Sequence, residues 1–356
     1  MINIADNHIK KLKHCLPNLV FSHLKMRNIG IIGNGSWATA LIKILCDNPQ
    51  GKSITWWLRN SEDISFIREF GHNPRYLTDV SIDLDKVCLS DNLTDTVLKN
   101  DIILIGVPSA FVHEVLKQLP ENAFENKLII SAVKGVNPDT HQIISHYFEG
   151  SWSVPSDAIC AISGPCHAEE VAMEKLSYLT IASTKDSFAN DIAELFSCHY
   201  IFCKTTEDIY GIEYAAVLKN VYAIACGICH GLGYGDNFQS VLVSASSRET
   251  ERFLEAGHQI HRDVKENAYL GDLLVTAYSQ FSRNRTFGNM LGKGYTVKSA
   301  QMEMNMIAEG FYATKTMKEI NENVQADMPI LNAVFDIIYK NAPARRVMKE
   351  LTSKII

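Results

Sequence analysis

The sequence has no excess of basic residues and no apolar run of the roughly 18 residues that span a bilayer. Its 34 lysines and arginines are outnumbered by 40 aspartates and glutamates, so the net charge is −6 with histidine neutral. A chain of this charge presents no broad basic face, which argues against a nucleic-acid partner. The lack of a long apolar run argues in the same way against a membrane span. A small anionic ligand remains compatible, because local lysines and arginines outweigh the net charge around them.

Residues 1–26 lack the features of an export signal, although they include several basic residues. Their apolar patches are short, and no small-residue cleavage site follows them. We therefore interpret residues 1–26 as an N-terminal extension and expect a cytoplasmic protein. The nine cysteines are odd in number and scattered, which predicts reduced thiols in that compartment.

Motifs for metal or haem binding are scarce. No H-E-x-x-H, paired C-x-x-C or EF-hand loop occurs, so we expect no metal site. The run Cys226-Gly-Ile-Cys229-His230 does match the C-x-x-C-H pattern of covalent haem attachment. That attachment normally follows export, and the surrounding run VYAIACGICHGLG is apolar like a buried helix. We therefore favour the interpretation that these cysteines are small side chains packed in the core over the interpretation that they attach haem.

The sequence consists of two halves that differ in their predicted secondary structure. Between residues 27 and 206, stretches of helical periodicity alternate with the β-rich runs NIGIIG, SITWWL, DIILIGV, KLIISAV, AICAIS and LTIAS. Near-continuous apolar strands separated by helices predict a parallel sheet covered by helices on both faces. From 207 to 356 helical periodicity prevails, which predicts an all-helical domain. We expect a ligand in the cleft between the two halves.

A glycine-rich turn follows the first predicted strand. Gly33, Gly35 and Ala38 stand in a G-x-G-x-x-[G/A] pattern between that strand and the helical run ATALIKIL. Gly33 permits a tight turn, Gly35 lets the backbone approach a pyrophosphate, and Ala38 lets the helix pack closely on the strand. The pattern predicts a doubly wound, Rossmann-type dinucleotide-binding domain. A glycine turn without a ligand is the alternative.

The second predicted strand suggests which nucleotide is bound. It ends in Leu58 and Arg59, where an NAD-specific site usually has an acidic residue for the ribose 2′-hydroxyl. Arg59 is able to pair with a 2′-phosphate instead, so the sequence accommodates NADPH as well as NADH. A solvated surface arginine is the alternative interpretation.

Two lysines lie where chemistry is expected. Lys134 closes a predicted strand at the carboxyl edge of the sheet, where ligands bind, although a lone lysine there is more often a surface residue. Lys219, followed by Asn220, lies inside the apolar helical run IEYAAVLKNVYAIA. Burial would lower the pKa of Lys219 toward a useful acid–base range. Extension of the side chain to the surface is the alternative, which leaves an ordinary solvated lysine.

A short basic turn is found later in the chain. Ser282-Arg283-Asn284-Arg285 places two guanidinium groups and one amide close together. This combination suits a phosphate group, because arginine offers fork-shaped charged donors. An exposed basic turn is the alternative.

Taken in order, these motifs resemble those of the bacterial type of NAD(P)-dependent glycerol-3-phosphate dehydrogenases. The resemblance extends over about residues 27 to 345 and rests on GNGSWATAL, VPSAFVHEVL, AVKGVNPDT, ISGPCHAEE, GIEYAAVLKNVYAIACG, GDLLVTAYSQFSRNRTFG and AEGFYATK. It implies a Rossmann-type domain (27–206), a helical substrate domain (207–356) and a homodimer. It also implies interconversion of dihydroxyacetone phosphate and sn-glycerol 3-phosphate with NADH or NADPH, which supplies phospholipid synthesis.

The resemblance also implies a role for each matching residue. Lys219 would be the general acid–base, supported by Asn220, Asp272 and Lys134. The substrate would be bound by Lys134, Gly164, Cys166, Asp272, Thr276, Ser282, Arg283 and Asn284. The cofactor would contact Gly33, Gly35, Ser36, Trp37, Ala38, Arg59, Lys134, Ala168, Arg283, Ile307 and Glu309.

Two positions depart from the family pattern. Cys166 stands where serine or threonine is usual, which weakens a hydrogen bond to the substrate, and Ala245 stands where an arginine is usual.

Two other functions compete with this interpretation. A related hydroxy-acid dehydrogenase would need a carboxylate clamp in place of the Ser-Arg-Asn-Arg run. A non-catalytic dinucleotide sensor would be expected to have lost part of the catalytic set, which is intact here.

Overall fold

A computed structural model describes residues 28–49, 53–304 and 308–355. The predicted extension 1–26 and the predicted cofactor contact Ile307 lie outside the described residues. Within them, a Rossmann-like domain built on one large sheet is followed by a domain of helices, and the prediction of fold class is confirmed. The last strand of the sheet ends at Thr206, and the first long helix begins at Ile209.

The sheet has eight strands, and a separate two-stranded hairpin accompanies it. The strands are β1 (Ile29–Ile32), β2 (Ile54–Trp57), β3 (Val87–Ser90), β4 (Ile102–Ile105), β5 (Leu128–Ser131), β8 (Ile159–Ser163), β9 (Ser177–Ala182) and β10 (Ile201–Thr206), with β6 (Val136–Asn137) and β7 (Gln142–Ile143) as the hairpin. They lie in the order β10-β9-β8-β5-β4-β1-β2-β3. The order reverses between β1 and β4, and ligands bind at the carboxyl ends of strands at such a point.

The sheet departs from the sequence prediction in one pairing. β8 and β9 pair antiparallel, so the prediction of an entirely parallel sheet is wrong here. The connection between them contains only the helix α6 (Ala168–Ala172). A helix of five residues advances about 7.5 Å, whereas a parallel crossover has to return along a strand of about 18 Å.

Two strands of the eight-stranded sheet were also missing from the predicted runs. β3 and β10 are the two edges of the sheet, and each places apolar or thiol side chains in solvent. Cys88 on β3 is exposed, and Phe202 on β10 is 53% exposed. An edge strand is not covered on both faces, so its sequence lacks the continuous apolar run that identifies β1 and β4.

Helices cover the sheet and form the whole second domain. Those of the first domain are α1 (Ser36–Asp47), α2 (Ser61–Phe70), α3 (Leu93–Leu98), α4 (Ser109–Leu116), α5 (Ile144–Trp152), α6 and α7 (Asp186–Phe196). Those of the second are α8 (Ile209–Gly231), α9 (Asp236–Gly257), α10 (Asp272–Tyr278), α11 (Arg283–Gly292), α12 (Val297–Glu303), α13 (Glu309–Val324), α14 (Pro329–Tyr339) and α15 (Ala344–Leu351). The hairpin joins the two domains, because Val136 and Ile143 pack in the core of the helices.

Helix α8 forms the centre of the second domain. Among the described helices it alone is long and apolar enough to cross a membrane, which qualifies the expectation of no membrane span. Its apolar window is entirely buried inside the protein, as in a core helix. Cys226 and Cys229 are completely buried in it, which confirms their interpretation as core cysteines. Ala245 on α9 is also buried, where its small side chain packs in the same core.

Helices α8 and α11 meet backbone to backbone. Each contributes two glycines four residues apart, namely Gly227 and Gly231 in α8 and Gly288 and Gly292 in α11. A Cβ added to Gly227 would overlap the carbonyl oxygen of Arg285, and one added to Gly288 would overlap that of Ile224. Only glycine permits this approach. The contact therefore positions the start of α11 against the helix that carries Lys219.

Candidate active site

The glycine turn after β1 opens toward a cavity. Gly33 has a φ of 135°, and a Cβ at this position would lie 2.7 Å from the backbone of Gly106. Trp56 on β2 holds the turn, because its Nε1 donates to the Gly33 carbonyl at 2.7 Å. Gly35 is the N-cap of α1 and has no side chain with which to cap it. The first N–H groups of α1 are therefore available to an anion, and they lie at the positive end of the helix dipole.

A cavity of about 600 Å³ lies between this turn and the helical domain. The first domain lines it with Gly35, Ser36, Trp37 and Lys134, and the second domain with Arg283 and Glu309 among others. The volume lies within the roughly 300–1,000 Å³ that is typical of ligand sites. The Nε1 of Trp37 is buried and has no hydrogen-bond partner among the described residues. The cavity, the uncapped helix and this indole together fit a dinucleotide.

Four of the predicted cofactor residues do not line this cavity, namely Gly33 in the turn itself, Ala38, Arg59 and Ala168. Ala38 is buried behind the turn, where a Cβ on Gly106 would lie 3.2 Å from its own Cβ. This is the close helix–strand packing that the glycine pattern requires. Arg59 is exposed beyond the end of β2 and is not part of the cavity lining.

A second cavity of about 120 Å³ adjoins the first. The two share Ser36, Trp37, Lys134, Arg283 and Glu309 in their walls. The smaller one is also lined by most of the predicted catalytic and substrate residues, namely Cys166, Lys219, Asn220, Asp272, Thr276, Ser282 and Asn284, and by the predicted cofactor contact Ala168. Residues as far apart in sequence as Ser36 and Glu309 are thus brought to one small site beside the larger cavity.

The ammonium group of Lys219 contacts the carboxylate of Asp272 inside the protein. The two residues are 5% and 1% exposed, so the alternative of a surface-extended Lys219 is wrong. The Nζ of Lys134 lies 3.9 Å from the other oxygen of the same carboxylate. Burial lowers the pKa of Lys219 to about 8; Asp272 opposes this change and Lys134 adds to it. Asp272 is thus flanked by two amines.

Two amides connect the elements around the lysines. The Nδ2 of Asn220 donates to the carbonyls of Lys134 and Ala216, both at 3.2 Å, and its Oδ1 accepts from Asn284 at 2.9 Å. The Oδ1 of Asn284 in turn accepts from the backbone N–H of Gly310 at 2.8 Å. These contacts use the Nδ2 group of Asn220 and one acceptor position of its Oδ1, so the residue connects three elements in the wall of the smaller cavity.

The other predicted substrate residues have defined partners. Ser282 is the N-cap of α11 and accepts from the backbone N–H of Arg285 at 3.3 Å. Thr276 donates to the carbonyl of Asp272 at 2.6 Å. The thiol of Cys166 donates to the carbonyl of Tyr178 at 3.1 Å, and burial raises its pKa to about 12, so it remains protonated. The carbonyl of Gly164 accepts from Lys134 at 3.5 Å.

Several wall residues were not predicted as site residues. Phe111 and Tyr312 line the larger cavity, and His167 lines the smaller one. Burial, and next the positive charges of Lys134 and Lys219, lower the pKa of His167 to about 4, so its imidazole is neutral. All three lie within the sequence motifs on which the family resemblance rests, so these motifs could have identified them. Among the described residues, no group of three or more His, Cys, Asp or Glu side chains is gathered as a metal site requires.

Comparisons with known proteins agree with this geometry. Residues 28–189 match the model of the NAD-dependent glycerol-3-phosphate dehydrogenase N-terminus, and residues 208–349 match that of the C-terminus. A glycerol-3-phosphate dehydrogenase [NAD(P)+] from Staphylococcus carnosus is 32% identical, covering 92% of this chain and 98% of the relative. One from Streptococcus sanguinis is 33% identical over 91% and 95%. The crystal structure of glycerol-3-phosphate dehydrogenase from Coxiella burnetii superimposes with a TM-score of 0.84 at 27% identity, covering 92% and 99%.

Proposed function

Because the chain belongs to the NAD-dependent glycerol-3-phosphate dehydrogenase family and interconverts dihydroxyacetone phosphate and sn-glycerol 3-phosphate, we propose that Lys219 is the general acid–base of this reaction. The observation that carries the proposal is the buried contact between Lys219 and Asp272 in the wall of the smaller cavity. A pKa of about 8 lets the amine both give and accept a proton near neutral pH.

The remaining chemistry follows from the charges around the two lysines. NADH or NADPH, when bound, supplies the hydride for the carbonyl carbon. The Nζ of Lys219 donates a proton to the carbonyl oxygen as negative charge develops there, and neutral Lys219 removes the hydroxyl proton in the reverse direction. Asp272 orients the amine. Lys134 adds a second positive charge that stabilises the developing oxyanion in a site of low dielectric.

The substrate phosphate is assigned to the start of α11. Ser282 caps this helix, and Arg283 and Asn284 are its first residues. N–H groups at a helix start and a guanidinium group both favour a dianion. Binding the phosphate away from the reacting carbon holds that carbon in place for the chemistry.

The cofactor is assigned to the larger cavity. Gly35, Ser36 and Trp37 would hold the pyrophosphate at the uncapped start of α1, with Gly33 shaping the turn. Arg59 would pair with the 2′-phosphate of NADPH, and Ala168, Glu309 and Ile307 would contact the nicotinamide side, as the resemblance implies. The same resemblance supports a cytoplasmic homodimer with domain limits of 27–206 and 207–356, which provides glycerol 3-phosphate for phospholipid synthesis.

Loss of absorbance of NADPH, and separately of NADH, tests the assignment of Lys219. The wild-type protein is expected to oxidise both cofactors with dihydroxyacetone phosphate and neither with dihydroxyacetone, because the latter lacks the group that Arg283 binds. Lys219→Ala is expected to lower kcat by about 10²–10⁴-fold with cofactor affinity retained. Lys318→Ala is the control, since this lysine is part-buried on α13 and contacts Asn332. Normal turnover of Lys219→Ala would remove this residue from the mechanism.

A further inference from the structure

A buried carboxylate on the catalytic helix has no part in the mechanism described above. Glu213 lies on α8 and is 4% exposed. Its Oε2 accepts from the hydroxyl of Ser145 at 2.5 Å and from the backbone N–H of Ser145 at 3.2 Å. Its Oε1 accepts from the hydroxyl of Ser131 at 3.3 Å. All three donors come from the Rossmann-like domain, so one carboxylate connects the two domains.

The two serines lie at the two ends of the segment that carries Lys134. Ser131 is the last residue of β5, Ser145 is in the first turn of α5, and the hairpin β6–β7 lies between them. Glu213 therefore closes residues 131–145 into a loop held on the same helix as Lys219. Asn220 adds a second link from that helix, to the carbonyl of Lys134 itself. Lys134 is thus held on both sides by residues of α8.

Stability alone does not account for an acid at this position. Burial raises the pKa of Glu213 to about 7, Glu149 adds to the rise, and the hydrogen bonds from the two serines oppose it. A buried carboxylate costs free energy that an apolar side chain of similar volume does not. The feature that an apolar residue fails to reproduce is the set of directed hydrogen bonds to both ends of the loop.

We propose that Glu213 is a positioning residue that fixes Lys134 relative to Lys219, an inference that rests on the proposed roles of these two lysines. The charge of Lys134 acts on Lys219 through space, and this interaction weakens with distance. When the hydrogen bonds of Glu213 are lost, the two ends of the loop 131–145 are no longer fixed to α8, and Lys134 is held less firmly next to Asp272 and Lys219, by Asn220 and by the packing of Val136 and Ile143. The acidity of Lys219 and the stabilisation of the developing oxyanion then change together.

The test compares Glu213→Leu and Glu213→Gln by the pH profile of kcat for dihydroxyacetone phosphate reduction. In Glu213→Leu we expect a kcat at least 10-fold lower and a midpoint of the alkaline limb moved to higher pH. The Kd for NADPH is expected to stay within about twofold. Glutamine keeps a hydrogen-bonding group for Ser145, so Glu213→Gln should recover most of kcat. Ser131→Ala removes a single hydrogen bond and should shift the midpoint in the same direction with the fold intact.

Glu249 provides the matched control. It is a buried carboxylate on α9 whose pKa burial likewise raises to about 7, but it accepts from the backbone N–H groups of Ile330 and Leu331 at the start of α14. Glu249→Leu is expected to lower thermal stability and leave the midpoint unchanged. The inference is overturned if Ser131→Ala and Glu213→Leu keep the wild-type midpoint, or if Glu249→Leu shifts it equally. Failure of the wild-type protein to reduce dihydroxyacetone phosphate would instead contradict the proposed function.

Discussion

At the scale of single residues, the carboxylate of Asp272 lies between two amines, those of Lys219 and Lys134. Asp272 contacts Lys219 and lies 3.9 Å from Lys134, all within the protein. Burial disfavours the ammonium form of Lys219, and the carboxylate of Asp272 stabilises it. Burial lowers the pKa of Lys219 to about 8, and the positive charge of Lys134 adds to this change.

The pH dependence of the two directions of reaction should therefore be opposite. Reduction requires protonated Lys219, so its kcat should fall as pH rises through about 8; oxidation requires the neutral amine and should rise there. Lys134→Met removes the neighbouring positive charge, which should raise the pKa of Lys219 and move both midpoints to higher pH. Steady-state rates between pH 6 and pH 10 measure this. Unchanged midpoints in Lys134→Met would contradict the proposed coupling.

Arg283 is expected to contribute to binding rather than to proton transfer. Charged hydrogen bonds are worth about 1.5–3 kcal/mol, so Arg283→Gln should raise the KM for dihydroxyacetone phosphate by about 10–100-fold. Arg346→Gln is the control, because this arginine is exposed on α15. An unaltered KM in Arg283→Gln would mean that the phosphate binds elsewhere.

The sequence identified the types of residue at the site but not their environments. Its motifs marked Lys134, Lys219 and Asp272, and the structure brings all three together. Local sequence left open whether Lys219 is buried or extends to the surface, because burial depends on the helices packed around α8. The hydrogen bonds of Asn220 and of Glu213 also depend on partners that are distant in sequence.

At the scale of elements, the contact between α8 and α11 is the most demanding feature. A Cβ on Gly288 would overlap the carbonyl oxygen of Ile224, which belongs to a helix backbone and is unable to move aside alone. Overpacking of this kind costs about 1–3 kcal/mol or more.

Gly288→Ala should therefore lower both thermal stability and kcat, because it displaces the start of α11 from α8. The melting temperature and the steady-state rates with dihydroxyacetone phosphate measure the two effects. Gly150→Ala is the matched control, since Gly150 lies in helix α5 and a Cβ there makes only an ordinary contact of 3.7 Å. The same losses in Gly150→Ala, or none in Gly288→Ala, would contradict this account.

Secondary-structure elements could be predicted where both of their faces are covered. β1, β4 and α8 have near-continuous apolar sequences because the protein surrounds them. The edge strands β3 and β10 lack this signal. The antiparallel pairing of β9 could not be predicted either, since pairing direction depends on how the connection folds and not on the composition of the strand.

At the scale of the whole molecule, the cofactor cavity belongs to both domains. Its walls combine Ser36 and Trp37 of the first domain with Glu309 and Tyr312 of the second. A ligand that binds in this cavity therefore stabilises the folded state of both domains.

Saturating NADPH should therefore raise the melting temperature of the protein as a single cooperative transition. A ligand at 100 times its Kd contributes about 2.7 kcal/mol. Differential scanning calorimetry with and without NADPH measures this, and the phosphate-free substrate analogue dihydroxyacetone is the control. Two transitions, of which only one moves with NADPH, would contradict a cavity shared by the two domains.

The backbone contact between α8 and α11 also has a consequence for substrate length. Helix α8 carries Lys219, the amine proposed to serve the carbonyl, and the start of α11 carries Arg283, the cation proposed to bind the phosphate. Because main chain touches main chain between these helices, their separation is insensitive to most side-chain exchanges. The separation of the two helices thus sets the number of carbons between the ketone and the phosphate in the substrate of the proposed site. A phosphorylated ketone with one more carbon between these groups could be accepted only by moving an entire helix.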